Sequence, residues 1–148
     1  MDMTNLAKNC SSTVIPGLRY RNATAMIEWL CEAFGFEKKA VYNGPSGVVM
    51  HAELIFGNGM IMLGSVDNGS PSSSTIKQPD EIGGVETQSP YVVTADCDAL
   101  YAQAKAAGAK ILTDLEEKDY GGKAFSCSDP EGHIWHFGGY DPWEQHEA

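Results

Sequence analysis

No uninterrupted apolar run in the 148 residues approaches the ~20 needed for a membrane-spanning helix, so no membrane partner is expected. The first dozen residues are polar and mixed, without the basic and apolar segments of a signal peptide, and a cytoplasmic location is expected. Basic residues are scarce: 10 Lys and Arg stand against 20 Asp and Glu, a formal net charge of -10. A field of that sign repels phosphate backbones, so no nucleic-acid partner is expected. None of the four cysteines, Cys10, Cys31, Cys97 and Cys127, lies at metal-finger spacing, and all are read as reduced thiols. Cys97 follows Asp96 at a helix start, where a small helix-start residue is the expectation and a stabilised thiolate the alternative. What remains is globular: 43% of the residues are apolar and 20% charged, enough for one domain with a core of its own.

The punctuation of the chain repeats. Residues 13–20 (TVIPGLRY) read as a strand with a proline near its start, where an edge strand tolerates one. Asn22 then caps a helix whose apolar face is Met26, Trp29, Leu30 and Ala33, and Gly35 ends it. Strands follow at 36–42, 48–56 and 60–63, parted by the turns NGPSG and GNG. The order then recurs: a strand at 91–94, Asp96 as a cap, a helical face of Leu100, Ala104 and Ala107, Gly108 as its end, and strands at 110–115, 125–127 and 134–137. The interval from Asn22 to Asp96 equals that from Gly35 to Gly108 to within one residue, which points to an internal duplication.

The fold expected is α+β: two tandem βαβββ modules, 13–65 and 90–143, whose curved sheets enclose a cleft. The 66–89 segment between them is longer than ordinary connections of about 4–6 residues. It reads as a mobile linker or, alternatively, as a cover over the cleft. Strand alternation sorts the faces. Ala52, Leu54 and Phe56 suit a helix; His51, Glu53 and Ile55 take the opposite face, and Met60 and Met62 part from Ile61 and Leu63. In the last strand Trp135 and Phe137 suit the face beneath the second helix, which leaves Ile134 and His136 toward the cleft; the alternative has Trp135 lining the cleft and His136 turned away. Arg19 ends the first strand; a solvated surface arginine is expected, and an anion-holding one is the alternative.

The stretches YRNATAMIEWLCEAFGFEKKAVY and HAELIFGNGMIMLGS, then YVVTADCDALYAQAKAAGAKI and DYGGKAFSCSDPEGHIWHF, resemble the vicinal oxygen chelate superfamily. That is the group of glyoxalases, bleomycin-resistance proteins and extradiol dioxygenases. The most specific pieces are the 129–133 turn DPEGH followed by Trp135, and the HAEL strand at 51–54. Asp129 and His133 are expected to close that turn by hydrogen bonds. The resemblance implies a homodimer. It also implies four metal ligands on cleft-facing strands, carried over to Ile15, Met62, Pro90 and His136. Ile, Met and Pro lack the oxygen and nitrogen donors such a metal needs, and of their neighbours only Ser89 could bind, weakly, so no cofactor is expected.

Two classes of function follow. The first is a binding protein whose metal-free cleft takes an apolar or aromatic small molecule, lined by Ile15, His51, Glu53, Ile55, Met60, Met62, Ile134 and His136. The second is an enzyme, a glyoxalase-like lyase or isomerase or a dioxygenase. It would use a divalent metal at a shifted site of His51, Glu53 and His136, or Glu53 with His136 as an acid–base pair without metal. A bound divalent metal discriminates the two.

Overall fold

The structure, a computed structural model, describes residues 4–144. The first half is β1 (Gly17–Tyr20), α1 (Ala23–Phe34), β2 (Glu37–Asn43), β3 (Val49–Phe56) and β4 (Gly59–Ser65). The second is β5 (Tyr91–Val93), α2 (Cys97–Ala106), β6 (Lys110–Glu117), β7 (Lys123–Ser128) and β8 (Ile134–Gly138). Each half makes a four-stranded sheet of the same order, β1-β4-β3-β2 and β5-β8-β7-β6. The first strand runs parallel to the fourth in both, and the other pairs are antiparallel. The α+β class and the two tandem modules are as the sequence implied. The sheets do not close on one another, so a single enclosed cleft shared by both is not formed within one chain.

Local chemistry accounts for the elements. Asn22 Oδ1 accepts from Ala25 N and Asp96 Oδ1 from Ala99 N, each serving a helix N-terminus. Gly35 ends α1 in the left-handed conformation, with φ 83° and its N–H on the Cys31 carbonyl. The first strand begins at Gly17 rather than at 13. Its Pro16 carbonyl accepts from Met62 N at 2.9 Å, while Val14 is 80% exposed.

The repeat is close at the level of register. Gly17 faces Met62 across β1 and β4, as Tyr91 faces His136 across β5 and β8. Met62 N donates to the Pro16 carbonyl, as His136 N does to that of Pro90. Pro16 and Pro90 are therefore equivalent, and so are Met62 and His136.

Both helices lie on one side and share one core. Met26, Ile27, Leu30, Ala33 and Phe34 of α1 are buried with Ala52, Leu54, Ile61 and Leu63 of the sheet beneath. Trp135 and Phe137 are fully buried, on the helix side as alternation implied. The partners of Trp135 differ from expectation. Trp135 meets Phe34 at 5.4 Å and Phe36 at 5.7 Å between ring centroids, both from the first module. Beneath α2 it is Phe125 that meets Tyr101, at 5.2 Å. Cys97 is buried at the start of α2, and burial, reinforced by Asp98 and Asp96, raises its thiol pKa, which overturns the stabilised thiolate.

The 129–133 turn locks the modules together. Asp129 Oδ1 accepts from the backbone N–H groups of Glu131 and His133 at 3.0 Å each. Its Oδ2 accepts from the Tyr20 hydroxyl at 2.6 Å and from Trp135 Nε1 at 3.2 Å. The Glu131 carboxylate accepts from Arg21 N and Asn22 N ahead of α1. Burial pushes the Asp129 carboxyl up, against the downward pull of its Tyr20, His133 and Trp135 neighbours, and burial with the Asp129 charge pushes the Tyr20 phenol well up. Asp129→Ala would orphan three buried donors and the part-buried Glu131 N–H. We expect it to cost about 3 kcal/mol or more in a urea titration, with Glu131→Ala, at a more exposed site, costing clearly less.

Candidate functional site

The faces of the sheets away from the helices carry a furrow of three adjoining hollows. The first, about 290 Å³, is lined by Leu18, Arg19, Met50, His51, Met62 and Ile76 among others. The central one, about 370 Å³, shares Gly17, Leu18, Arg19 and Ile76 with it and adds Lys77, Glu86, Pro90, His133 and Ile134. The third, about 520 Å³, shares Glu86 and Ile134 with the central one and reaches Ser89, Ser126 and His136. Their sizes lie around the lower end of small-molecule sites.

The connecting segment lines this furrow and is held along it. It contains 3-10 turns at Pro71–Ser74 and Pro79–Ile82. Asn68 Nδ2 donates to the Met50 carbonyl, Arg21 grips Asp80 through two guanidinium nitrogens, and Gln78 Nε2 donates to the Arg19 carbonyl at 2.9 Å. His133 Nδ1 lies 2.9 Å from Glu86 Oε1 and its Nε2 lies 2.9 Å from the Arg19 carbonyl oxygen. His133 was expected to close its own turn. Its ring instead joins the connecting segment to β1, and the turn is closed by the Asp129 carboxylate together with backbone bonds between Asp129 and both His133 and Gly132.

The candidate residues are distributed along the furrow. His51 and Met62 line the first hollow, and Ile134 lines the central and third. His136 lines the third. Met60 lines a separate hollow of about 450 Å³ at one end of the sheets, with Phe36, Phe56 and Trp135. Ile15, Glu53 and Ile55 are half-buried and line none of these. Met62 and His136 thus occupy different hollows of one chain.

Polar groups are already paired. His51 Nε2 and Glu53 Oε2 are 2.9 Å apart on β3, and Lys39 Nζ lies 3.9 Å from the same carboxylate. His136 is on the other sheet, with Nδ1 2.6 Å from Ser126 Oγ and Nε2 2.7 Å from Ser89 Oγ. A hydroxyl can donate or accept, so both ring nitrogens are satisfied in either tautomer. The structure brings His51 to Glu53 and keeps His136 from both, so neither the shifted trio nor a Glu53–His136 pair is assembled in the chain. Among the described residues no group of three or more His, Cys, Asp or Glu side chains is placed to hold a metal ion.

Ser126 escaped the sequence reading, and Ser89 figured there only as a weak donor beside Pro90. With Pro16 equivalent to Pro90, the partner of Ile15 in the repeat is Ser89 rather than Pro90. Ser126 sits directly across from His136 in the β7–β8 register, which the turn at 129–133 could have revealed. The corrected quartet is Ile15, Met62, Ser89 and His136. It offers one good metal donor, His136, whose nitrogens are both engaged, so this donor set does not fit the metal that such a scaffold commonly carries.

Paired βαβββ modules with helices on one side and uncovered sheet faces on the other define the vicinal oxygen chelate class. The chain belongs to the Glyoxalase/Bleomycin resistance protein/Dioxygenase superfamily, whose family model matches residues 13–137. It is 29% identical over 133 residues to the uncharacterized protein Mb0911c of Mycobacterium bovis, covering 90% of this chain and 86% of that one. Among solved structures it is similar to TioX from Micromonospora sp. ML1, with a TM-score of 0.68, 28% identity, and coverage of 86% of this chain and 97% of that chain. A glyoxylase/bleomycin resistance protein/dioxygenase domain from Frankia sp. EAN1pec shares the fold at a TM-score of 0.62 and 18% identity, over 86% and 95% of the two chains. No described helix is long and apolar enough to cross a membrane.

The face assignment can be tested by substitution. Met62→Glu places its carboxylate in an open hollow, whereas Leu63→Glu buries one beneath α1 at a site 3% exposed. Thermal melts should show the first within about 4 °C of wild type and the second unfolded or lowered by more than about 10 °C.

Proposed function

We propose that this protein binds an apolar or aromatic small molecule on the uncovered sheet faces and needs no metal to do so. The observation that carries this reading is the pairing of adaptable apolar walls with an unsuitable donor set. Met50, Met62, Leu18 and Ile76 line the first hollow, while Ile15, Met62 and Ser89 stand where ligating side chains would be needed. Methionine walls conform to varied shapes, which suits sequestration better than a reaction that must hold one geometry. A lyase, isomerase or dioxygenase reading needs acid–base or metal groups converging on one point, and the Glu53 and His136 side chains face different partners.

The neutral fluorophore N-phenyl-1-naphthylamine should bind at micromolar concentration, unchanged after dialysis against chelator, and Met62→Glu should weaken it about tenfold or more. Absence of binding, or binding lost on chelation and restored by one equivalent of divalent metal, contradicts the proposal.

We also propose a homodimer, in which the open faces of one chain are closed by those of a second. The shallow hollows of a single chain favour this, since small-molecule sites bury most of their ligand. Light scattering at micromolar concentration should return twice the 16.0 kDa chain mass; a monomer mass contradicts it.

A further inference from the structure

We infer that Arg19 reads an anionic group, so that the molecule bound in the furrow joins an apolar or aromatic body to a carboxylate, sulfonate or phosphate. This rests on the small-molecule reading above and narrows the class of ligand.

The guanidinium of Arg19 has five N–H donors, and its recorded partners are few and neutral. Nη2 donates to Ser72 Oγ at 2.8 Å, and Nη1 reaches the Ser65 carbonyl only at 3.4 Å. Among the described residues no carboxylate lies within 4.0 Å of it. Lys8, Lys105 and Lys110 also lack an ion pair among the described residues, but they are exposed, whereas Arg19 is half-buried. Arg21, two positions on, holds Asp80 through two nitrogens, and Lys77 in the central hollow lies 3.8 Å from Glu81. Glu86 shares the central hollow with Arg19, but its Oε1 is committed to His133 and to Ile134 N.

The position converts a spare charge into a recognition element. Arg19 is half-buried rather than fully solvated, contrary to the sequence expectation, and no carboxylate among the described residues pairs with it. It lies at the junction of the first and central hollows, lining both. Leu18, Met50, Met62 and Ile76 supply apolar surface beside it. A planar fork of N–H groups at that junction matches the two oxygens of a carboxylate or the face of a phosphate or sulfonate. The rival role, tethering the connecting segment through Ser72, uses one N–H and leaves the charge unexplained.

The full-length protein is titrated calorimetrically with 2-naphthoate and with uncharged 2-naphthamide. Naphthoate should bind about tenfold or more tighter. Arg19→Gln should abolish that preference, bringing the two affinities within about twofold of each other. Ser72→Ala, which removes only the tether, should retain the preference. In the wild-type protein the Arg19 Nε–H resonance should shift with naphthoate and not with naphthamide, a readout that holds even if Arg19→Gln fails to fold. Equal affinity for the two probes, a preference that survives Arg19→Gln, or an Arg19 resonance indifferent to naphthoate overturns the inference. Equal affinity leaves the apolar reading standing, whereas binding of neither probe removes both.

Discussion

The Asp129 carboxylate is the constraint on which the arrangement of the two modules depends. One oxygen fixes the turn that sets β8, and the other reaches the end of β1 and the indole of Trp135. An unmet buried carboxylate is expensive, so a position that satisfies all of these donors at once is strongly specified. Glu131 adds the start of α1 to the same knot, and the Phe34, Phe36 and Trp135 rings fill the space behind it. The two sheets therefore keep a fixed relation even though their strands do not pair with each other.

Most of the fold was legible because period-two alternation is strong here. His51, Ala52, Glu53 and Leu54 alternate sharply, as do Ile134 to Phe137, and burial follows that alternation. The start of β1 was not legible, since Pro16 lacks an N–H and leaves only its carbonyl to join the ladder. The partner of Trp135 was not legible either. Alternation says which face a ring takes and nothing about which module covers it. The site was half legible: Met62 and His136 could be placed on uncovered faces, but their separation into different hollows depends on how one sheet sits beside the other.

The repeat shows how the same scaffold position has been put to two uses. Met62 and His136 take the same place in their sheets and bond to equivalent proline carbonyls. In the first module the neighbour is Ile15 and the surroundings are apolar. In the second, Ser89 and Ser126 clasp the imidazole and complete a polar lining. A site built from one wall of each kind is suited to a ligand with two unlike sides, whether the walls come from one chain or two.

The tie between Tyr20 and Asp129 also bears on the ancestry of the halves. By the register that matches Gly17 with Tyr91, Thr94 stands in the second module where Tyr20 stands in the first, and the turn equivalent to 129–133 in the first is the short Gly57–Asn58 connection. Neither half carries both members of the lock. Whatever symmetry a duplicated ancestor possessed, lock and key now reside in opposite halves. Two copies of either half would lack one member, so further divergence of the modules is channelled into paired change rather than exchange.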